Sequence, residues 1–163
     1  MDNSPVFVAA RTDRLEVLHQ AFGFKPIDFK VSTADSDGGL FIVEHTNSHH
    51  GGPPRHIHHA QEEWFYVLEG EYVIEVGDTS FHLTTGDAVL APRAIPHVWA
   101  CAGSGHGRLL IVFQPAGQME GFFMESSQLD KLPDPEKLAS LFARHGMTLV
   151  GPPLPTGQEA LPS

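Results

Sequence analysis

Apolar residues along this chain come in short runs separated by turn-forming residues, and no long helical stripe is present outside the last third. The runs are densest between Glu63 and Phe113. Trp64 to Leu68 is aromatic and β-branched and stops at Glu69-Gly70. Tyr72 to Val76 follows and ends at Gly77-Asp78, a pair suited to a tight hairpin turn. Phe81 to Leu83, Ala88 to Ala91 (after Gly86-Asp87), His97 to Ala100 and Leu109 to Phe113 complete the set. Strand-length runs with closely spaced turn signals predict an all-β sandwich or barrel.

The flanks read differently. Residues 4–50 hold shorter runs (Val6 to Val8, Leu15 to Leu18, Ile27 to Val31, Leu40 to Val43), which predict extra N-terminal strands within 4–31. Residues 49–55, with two glycines and two prolines, predict an extended loop. Met119 to Glu125 predicts one or two helical turns. Asp134 is placed as an N-cap, Pro135 as the first helical residue and Gly146 as the stop, with Leu138, Leu141 and Phe142 on one face. That predicts a short helix over about 134–146, packed on the outside of the barrel. Residues 151–163, with four prolines, predict a loosely held tail. The expectation is a single domain over 1–163 with its barrel core at about 38–115.

Composition narrows the function classes. A chain of 163 residues with 41% hydrophobic content and eleven Phe can bury a core without disulfides. The formal net charge of −10 repels phosphate backbones, so nucleic-acid binding is not expected. Cys101 is the only cysteine, so no internal disulfide can form. Met1-Asp2-Asn3-Ser4 does not begin a secretory signal, and no run approaches the roughly 18 apolar residues of a membrane helix. A soluble, cytoplasmic protein without membrane partners is expected.

The candidate chemistry lies in four residues. In His56-Ile57-His58 the two imidazoles, at i and i+2 of a strand, share a face and can reach one point. Glu63 opens the next apolar run and can add a carboxylate oxygen if the chain reverses at Ala60-Gln61. His97 follows the Pro92 to Pro96 loop into another strand. Each piece alone is ordinary: a His-x-His pair on an edge strand is usually solvated, and Glu62 and Glu63 could be surface charge.

Together these residues resemble the cupin double motif. Its first half, G-x5-H-x-H-x3,4-E-x6-G, is matched by His56-x-His58-x4-Glu63-x6-Gly70, with the leading glycine displaced to Gly51. Its second half, G-x5-P-x-G-x2-H-x3-N, is matched by Gly86, Pro92 and His97, with Ala94 in place of the inner glycine and Cys101 in place of the final asparagine. The resemblance implies a cupin double-stranded β-helix, a jelly-roll barrel, with His56, His58, Glu63 and His97 as ligands to one divalent transition metal. Three imidazoles and a carboxylate suit Fe, Mn, Ni, Co, Cu or Zn and do not choose among them.

The phrases Pro53 to His59 and Phe65 to Gly70, and the stretch Arg144 to Pro153, resemble the small quercetin-dioxygenase-like cupins. That resemblance implies a dioxygenase acting on an aromatic or enolizable small molecule, with dioxygen as co-substrate and Glu63 as the catalytic proton acceptor. A ligand- or metal-binding cupin without turnover, and a non-redox cupin isomerase, are the alternatives. A homodimer is expected, since cupins commonly pair through the outer sheet.

Strand alternation from Glu63 and His97 predicts Phe65, Val67, Trp99 and Cys101 as pocket residues, with Phe113 on the far wall. The same residues would be equally at home as packing. His59 should face away from the site, and His49 and His50 should lie at the surface. His82, His106 and His145 read as structural, and Cys101 as a small buried residue with no base beside it. Glu62 either supports a ligand imidazole or is solvated.

Overall fold

Short apolar runs become antiparallel strands in the computed structural model, which describes residues 4–155. In chain order they are β1 (His19–Ala21), β2 (Phe24–Val31), a 3-10 turn (Thr33–Ser36), β3 (Phe41–Asn47), β4 (His56–His58), β5 (Glu62–Val76), β6 (Thr79–Thr84), β7 (Ala88–Ala91), β8 (His97–Cys101) and β9 (Gly107–Gln114). Two helices, α1 (Met119–Ser126) and α2 (Pro135–Arg144), and a last strand, β10 (Met147–Leu149), follow.

The longest strand organises the fold. Its first part, Glu62 to Gly70, pairs with β9 and, over Glu63 to Tyr66, with β7. Its second part, Glu71 to Val76, pairs with β6, and over Tyr72 to Val76 with β8. One sheet is therefore β1-β2-β3-β9-β5, and the other continues β5-β8-β4-β10. The change of partners falls at Gly70, which has φ 88 and whose Cβ, were one present, would lie 2.3 Å from the His106 carbonyl oxygen. Only glycine accepts both conditions. Glu69-Gly70 is thus a bend inside one 15-residue strand and not the turn between two strands that the sequence pattern predicts.

Alternation along β5 buries Glu63, Phe65, Val67, Tyr72 and Ile74 between the sheets. Phe29, Phe41, Leu109 and Phe113 meet them from the facing strands, all at 0–1% exposure. Each such side chain contributes roughly 1.5–3 kcal/mol through burial. The result is the curled jelly-roll expected from the motif.

Three flanking features differ from the sequence reading. Within 4–31 the strands are only β1 and β2. Val6 to Val8 and Leu15 to Leu18 form no strand, and Phe7 is 89% exposed. Polar ties hold this segment instead: the Asp13 carboxylate accepts from Leu15 N and Phe29 N, and Arg14 pairs with Asp35. Strand β10 was not anticipated; it pairs with β4 from Met147↔His58 to Leu149↔His56. Asp134 does cap α2, accepting from Lys137 N, and Pro135 opens the helix. Yet α2 does not merely cover the outside, because Phe142 lies ring-edge against His56 at 5.5 Å. No helix of the described residues is long and apolar enough to cross a membrane.

Candidate metal centre

The four motif residues come from three strands on two sheets. Residue His56 lies directly opposite His97 across the β4–β8 ladder, and His58 follows two residues on. Both β4 neighbours hold it in place, with β10 on one edge and β8 on the other. The loop before His97 is tied down as well, since Ala94 N donates to the His58 carbonyl at 2.7 Å and Gly77 N to the Pro96 carbonyl at 2.8 Å. Glu63 reaches the same point from the other sheet, where it pairs with Ala91 and Phe113. All four side chains are buried, and their ligand atoms lie within 4.8 Å of one another.

The imidazoles converge on one carboxylate oxygen. Glu63 Oε2 lies 2.7 Å from His97 Nε2, 3.0 Å from His58 Nε2 and 3.8 Å from His56 Nε2. On the far side of two rings the tautomer is fixed. His56 Nδ1 donates to the Pro54 carbonyl at 2.7 Å and His97 Nδ1 to the Ile95 carbonyl at 3.0 Å. A carbonyl only accepts, so each neutral ring presents a bare Nε2 lone pair to the centre. His58 Nε2, though near Glu63, is misaligned for hydrogen bonding, and both His58 ring nitrogens are buried without a hydrogen-bond partner.

Two oriented lone pairs, an unpartnered His58 nitrogen and an anionic oxygen facing one point are unfavourable unless a cation or extra protons lie between them. Ligand atoms held about 2.1 Å from a shared ion lie roughly 3–4 Å apart, which is the spacing found here. The orphaned His58 nitrogen and the oriented Nε2 atoms therefore fit a divalent transition metal.

Electrostatics agree. Burial pushes the Glu63 carboxyl upward, but the surrounding imidazoles of His56, His58 and His97 outweigh it and hold the group well below the usual carboxylate range. Burial lowers His56. Burial also works against protonated His97, but Glu63 overcomes it and the net direction is upward.

The centre opens on a cavity. Water-sized spheres can be centred over about 80 Å³ of it, several times the roughly 10–15 Å³ that one water needs. His56, His58 and Glu63 form one wall. Apart from His45 on β3 the others are largely apolar: Phe22, Phe24 and Ile27 from the β1–β2 hairpin, Met119, Phe122 and Phe123 from α1, and Phe142 from α2. Among the described residues no Arg or Lys lines it.

Comparison with known proteins decides the family. The family described as "Cupin domain" matches residues 43–113, from β3 through β9 and across both motif halves. The chain carries a cupin domain over these residues. Among solved structures, an RmlC-like cupin from Shewanella frigidimarina superposes with a TM-score of 0.56 at 22% identity, covering 74% of this chain and 99% of that one. KdgF from a Halomonas species gives 0.50 at 22% identity, covering 60% and 86%. At these identities the likeness concerns the fold alone. No curated protein matches the sequence.

In this cupin the sequence-predicted pocket residues separate into two groups. Trp99 and Phe113 line the cavity. Phe65, Val67 and Cys101 face inward but do not line it; they are buried in the core. Alternation sets the face of a strand, not what that face meets: Phe65 packs edge-on against the His97 ring at 6.2 Å and does not open on the cavity. The Cys101 thiol is pushed up by burial, as befits a packing residue. Glu62 pairs with Arg93 and touches no ligand imidazole. His59 turns away and bonds Thr148 at 2.7 Å, and His145 pairs with Glu125 at 2.8 Å.

Sequence reasoning missed His45, which lies buried in the cavity wall, and the aromatic side chains of β1–β2 and α2. His45 sits on the inward register of β3, opposite Ile27 and Leu109, so the alternation of Phe41, Val43 and His45 was the available signal.

Proposed function

We propose that this cupin is a metal-dependent dioxygenase acting on an aromatic or enolizable small molecule, as the quercetin-dioxygenase-like resemblance implies. The observation that carries the reading is a three-His, one-Glu centre facing a cavity with aromatic and aliphatic walls and no cationic side chain. A sugar or acidic substrate would want inward Arg or Lys, so the isomerase alternative is disfavoured.

A divalent transition metal held by His56, His58, Glu63 and His97 supplies Lewis acidity toward a substrate hydroxyl and, if redox-active, access to dioxygen chemistry. The chain's own residues do the rest. The Pro54 and Ile95 carbonyls fix the His56 and His97 rings so that Nε2 faces the centre. Glu63 stays ionised and is the group placed to take the hydroxyl proton. Phe113, Phe122, Phe123 and Phe142 orient a flat substrate and exclude water.

The test is elemental analysis of the untagged protein, followed by oxygen-uptake screening with flavonols and other enolizable phenols. About one equivalent of iron, manganese, nickel, copper or cobalt with substrate-dependent uptake supports the reading. A loaded protein that binds phenols without consuming oxygen overturns it in favour of a binding cupin.

The same reading includes a homodimer. β1 is the free edge of its sheet, and Val17 and Leu18, which lead into it, are exposed. Gel filtration at the 17.8 kDa of a single chain would overturn that part.

A further inference from the structure

Among the described lining residues the cavity holds one side-chain acceptor that the metal centre does not use. His45 is buried in its wall, on β3, edge-on to Trp99 at 5.4 Å and beside Phe24 at 6.5 Å. Among the described lining residues it is the only side-chain nitrogen or oxygen acceptor besides the metal ligands. Its orientation is set from behind. Tyr72 Oη donates to Asn47 Oδ1 at 2.9 Å. The same oxygen lies 3.1 Å from His45 Nδ1. An amide oxygen only accepts, so Nδ1 carries the hydrogen and Nε2 keeps a lone pair. Nε2 bonds no protein group among the described residues and is not sealed off from the cavity.

We propose that His45 Nε2 is a specificity-determining acceptor for a ligand hydroxyl, so that the substrate carries two oxygen functions: one for the metal and one that donates to His45 across an apolar body. This deepens the function proposed above and rests on it for the metal-bound end. Three features support it. His45 Nε2 is reachable from the cavity and bonds no protein group, so a ligand hydroxyl can take the place of the water it would otherwise bond. The Tyr72–Asn47–His45 chain holds the ring in one tautomer, as a recognition group requires. Burial pushes the His45 imidazole down to about 4, so its lone pair is available throughout the neutral range.

Matched phenols test the assignment: hydroquinone against para-cresol, and resorcinol against meta-cresol. Within each pair a methyl replaces the second hydroxyl at nearly constant shape. The full chain is loaded with zinc, its content is verified, and the four probes are titrated under anaerobic conditions by calorimetry and by nitrogen NMR of the histidine rings. At least one diol is expected to bind roughly tenfold more tightly than its cresol, the value of one buried hydrogen bond. That diol should move the His45 Nε2 resonance while the cresol leaves it in place. His45→Phe should abolish the preference with zinc content unchanged, and His45→Gln should restore part of it.

A preference that survives His45→Phe, or no preference in either pair, overturns the proposal. Should His45→Phe not fold, the wild-type Nε2 response decides alone. A wild-type chain that binds no zinc overturns the metal reading instead. The same pairs titrated into that metal-free protein then decide the His45 assignment by the same criterion.

Discussion

The two walls of the cavity are built on opposite principles. The metal wall draws on β4, the start of β5 and β8, whose polar side chains are aimed by ladder register and by backbone carbonyls. The apolar wall gathers side chains from β1–β2, α1 and α2, segments from opposite ends of the chain that meet by ring packing and a few hydrogen bonds such as Phe22 N to the Ser126 carbonyl. Phe122 lies edge-on to Phe22, Phe123 and Phe142, with ring centres 5.0–6.1 Å apart. Chemistry that tolerates little displacement is carried on rigid strands, while substrate fit is left to helices and termini that can vary independently.

The sharpest break in that contrast comes from removing a ligand. His58→Ala or Glu63→Ala should lower metal affinity more than about 100-fold, beyond the 10–100-fold typical of supporting residues. The far-UV circular dichroism of the barrel should be retained. Elemental analysis after dialysis measures it. Full metal retention in both variants would show that these ligands are not the site.

The opposite wall should respond in stability and not in metal content. Phe122→Ala removes a side chain that is 6% exposed and touches three aromatic neighbours. A loss of about 3–5 kcal/mol in urea unfolding is expected, with metal stoichiometry unchanged in the folded fraction. A variant that lost metal as readily as His58→Ala would show that the two walls are mechanically one.

This division also explains what could be read from the sequence. His56, His58, Glu63 and His97 were legible because neighbouring strands turn a spatial cluster into short fixed spacings. The expectation for β2 to β9 held where alternation was clean, as at Phe65 and Val67, but failed at Gly70, where a turn signal marks a bend. Phe24 and Phe142 could not be found as cavity residues, since nothing in their local sequence encodes a meeting of the two ends of the chain. His45 was overlooked because it precedes the motif, although its place on the face shared by Phe41 and Val43 was visible.

His45 links the walls energetically. Burial holds its folded-state value at about 4, below the ordinary 6.5. The unfolded chain therefore binds the extra proton first. The stability due to a neutral His45 is fully present above pH 6.5 and is lost as pH falls toward about 4, by about 3 kcal/mol in all. Urea midpoints at a series of pH values should show this slope, and His45→Gln, which does not titrate, should flatten it. An unchanged slope in that variant would place the titration elsewhere.

The smallest expected effect tests how strictly the metal wall is built. Ala94 occupies the position where the cupin motif has its inner glycine, and it retains the left-handed backbone with φ 65. For a residue with a Cβ that conformation costs roughly 1–2 kcal/mol. Glycine would relieve the cost but would add unfolded-state entropy worth about 0.4–1 kcal/mol. Ala94→Gly should therefore stabilise the protein by only about 0.5–1 kcal/mol. The loop does not need glycine to hold this shape, because Ala94 N is already bonded to the His58 carbonyl at 2.7 Å. Metal affinity should stay the same if that bond sets the loop. A drop in affinity, measured by competition with a chelator, would mean that the strained alanine helps to fix His97 against the centre.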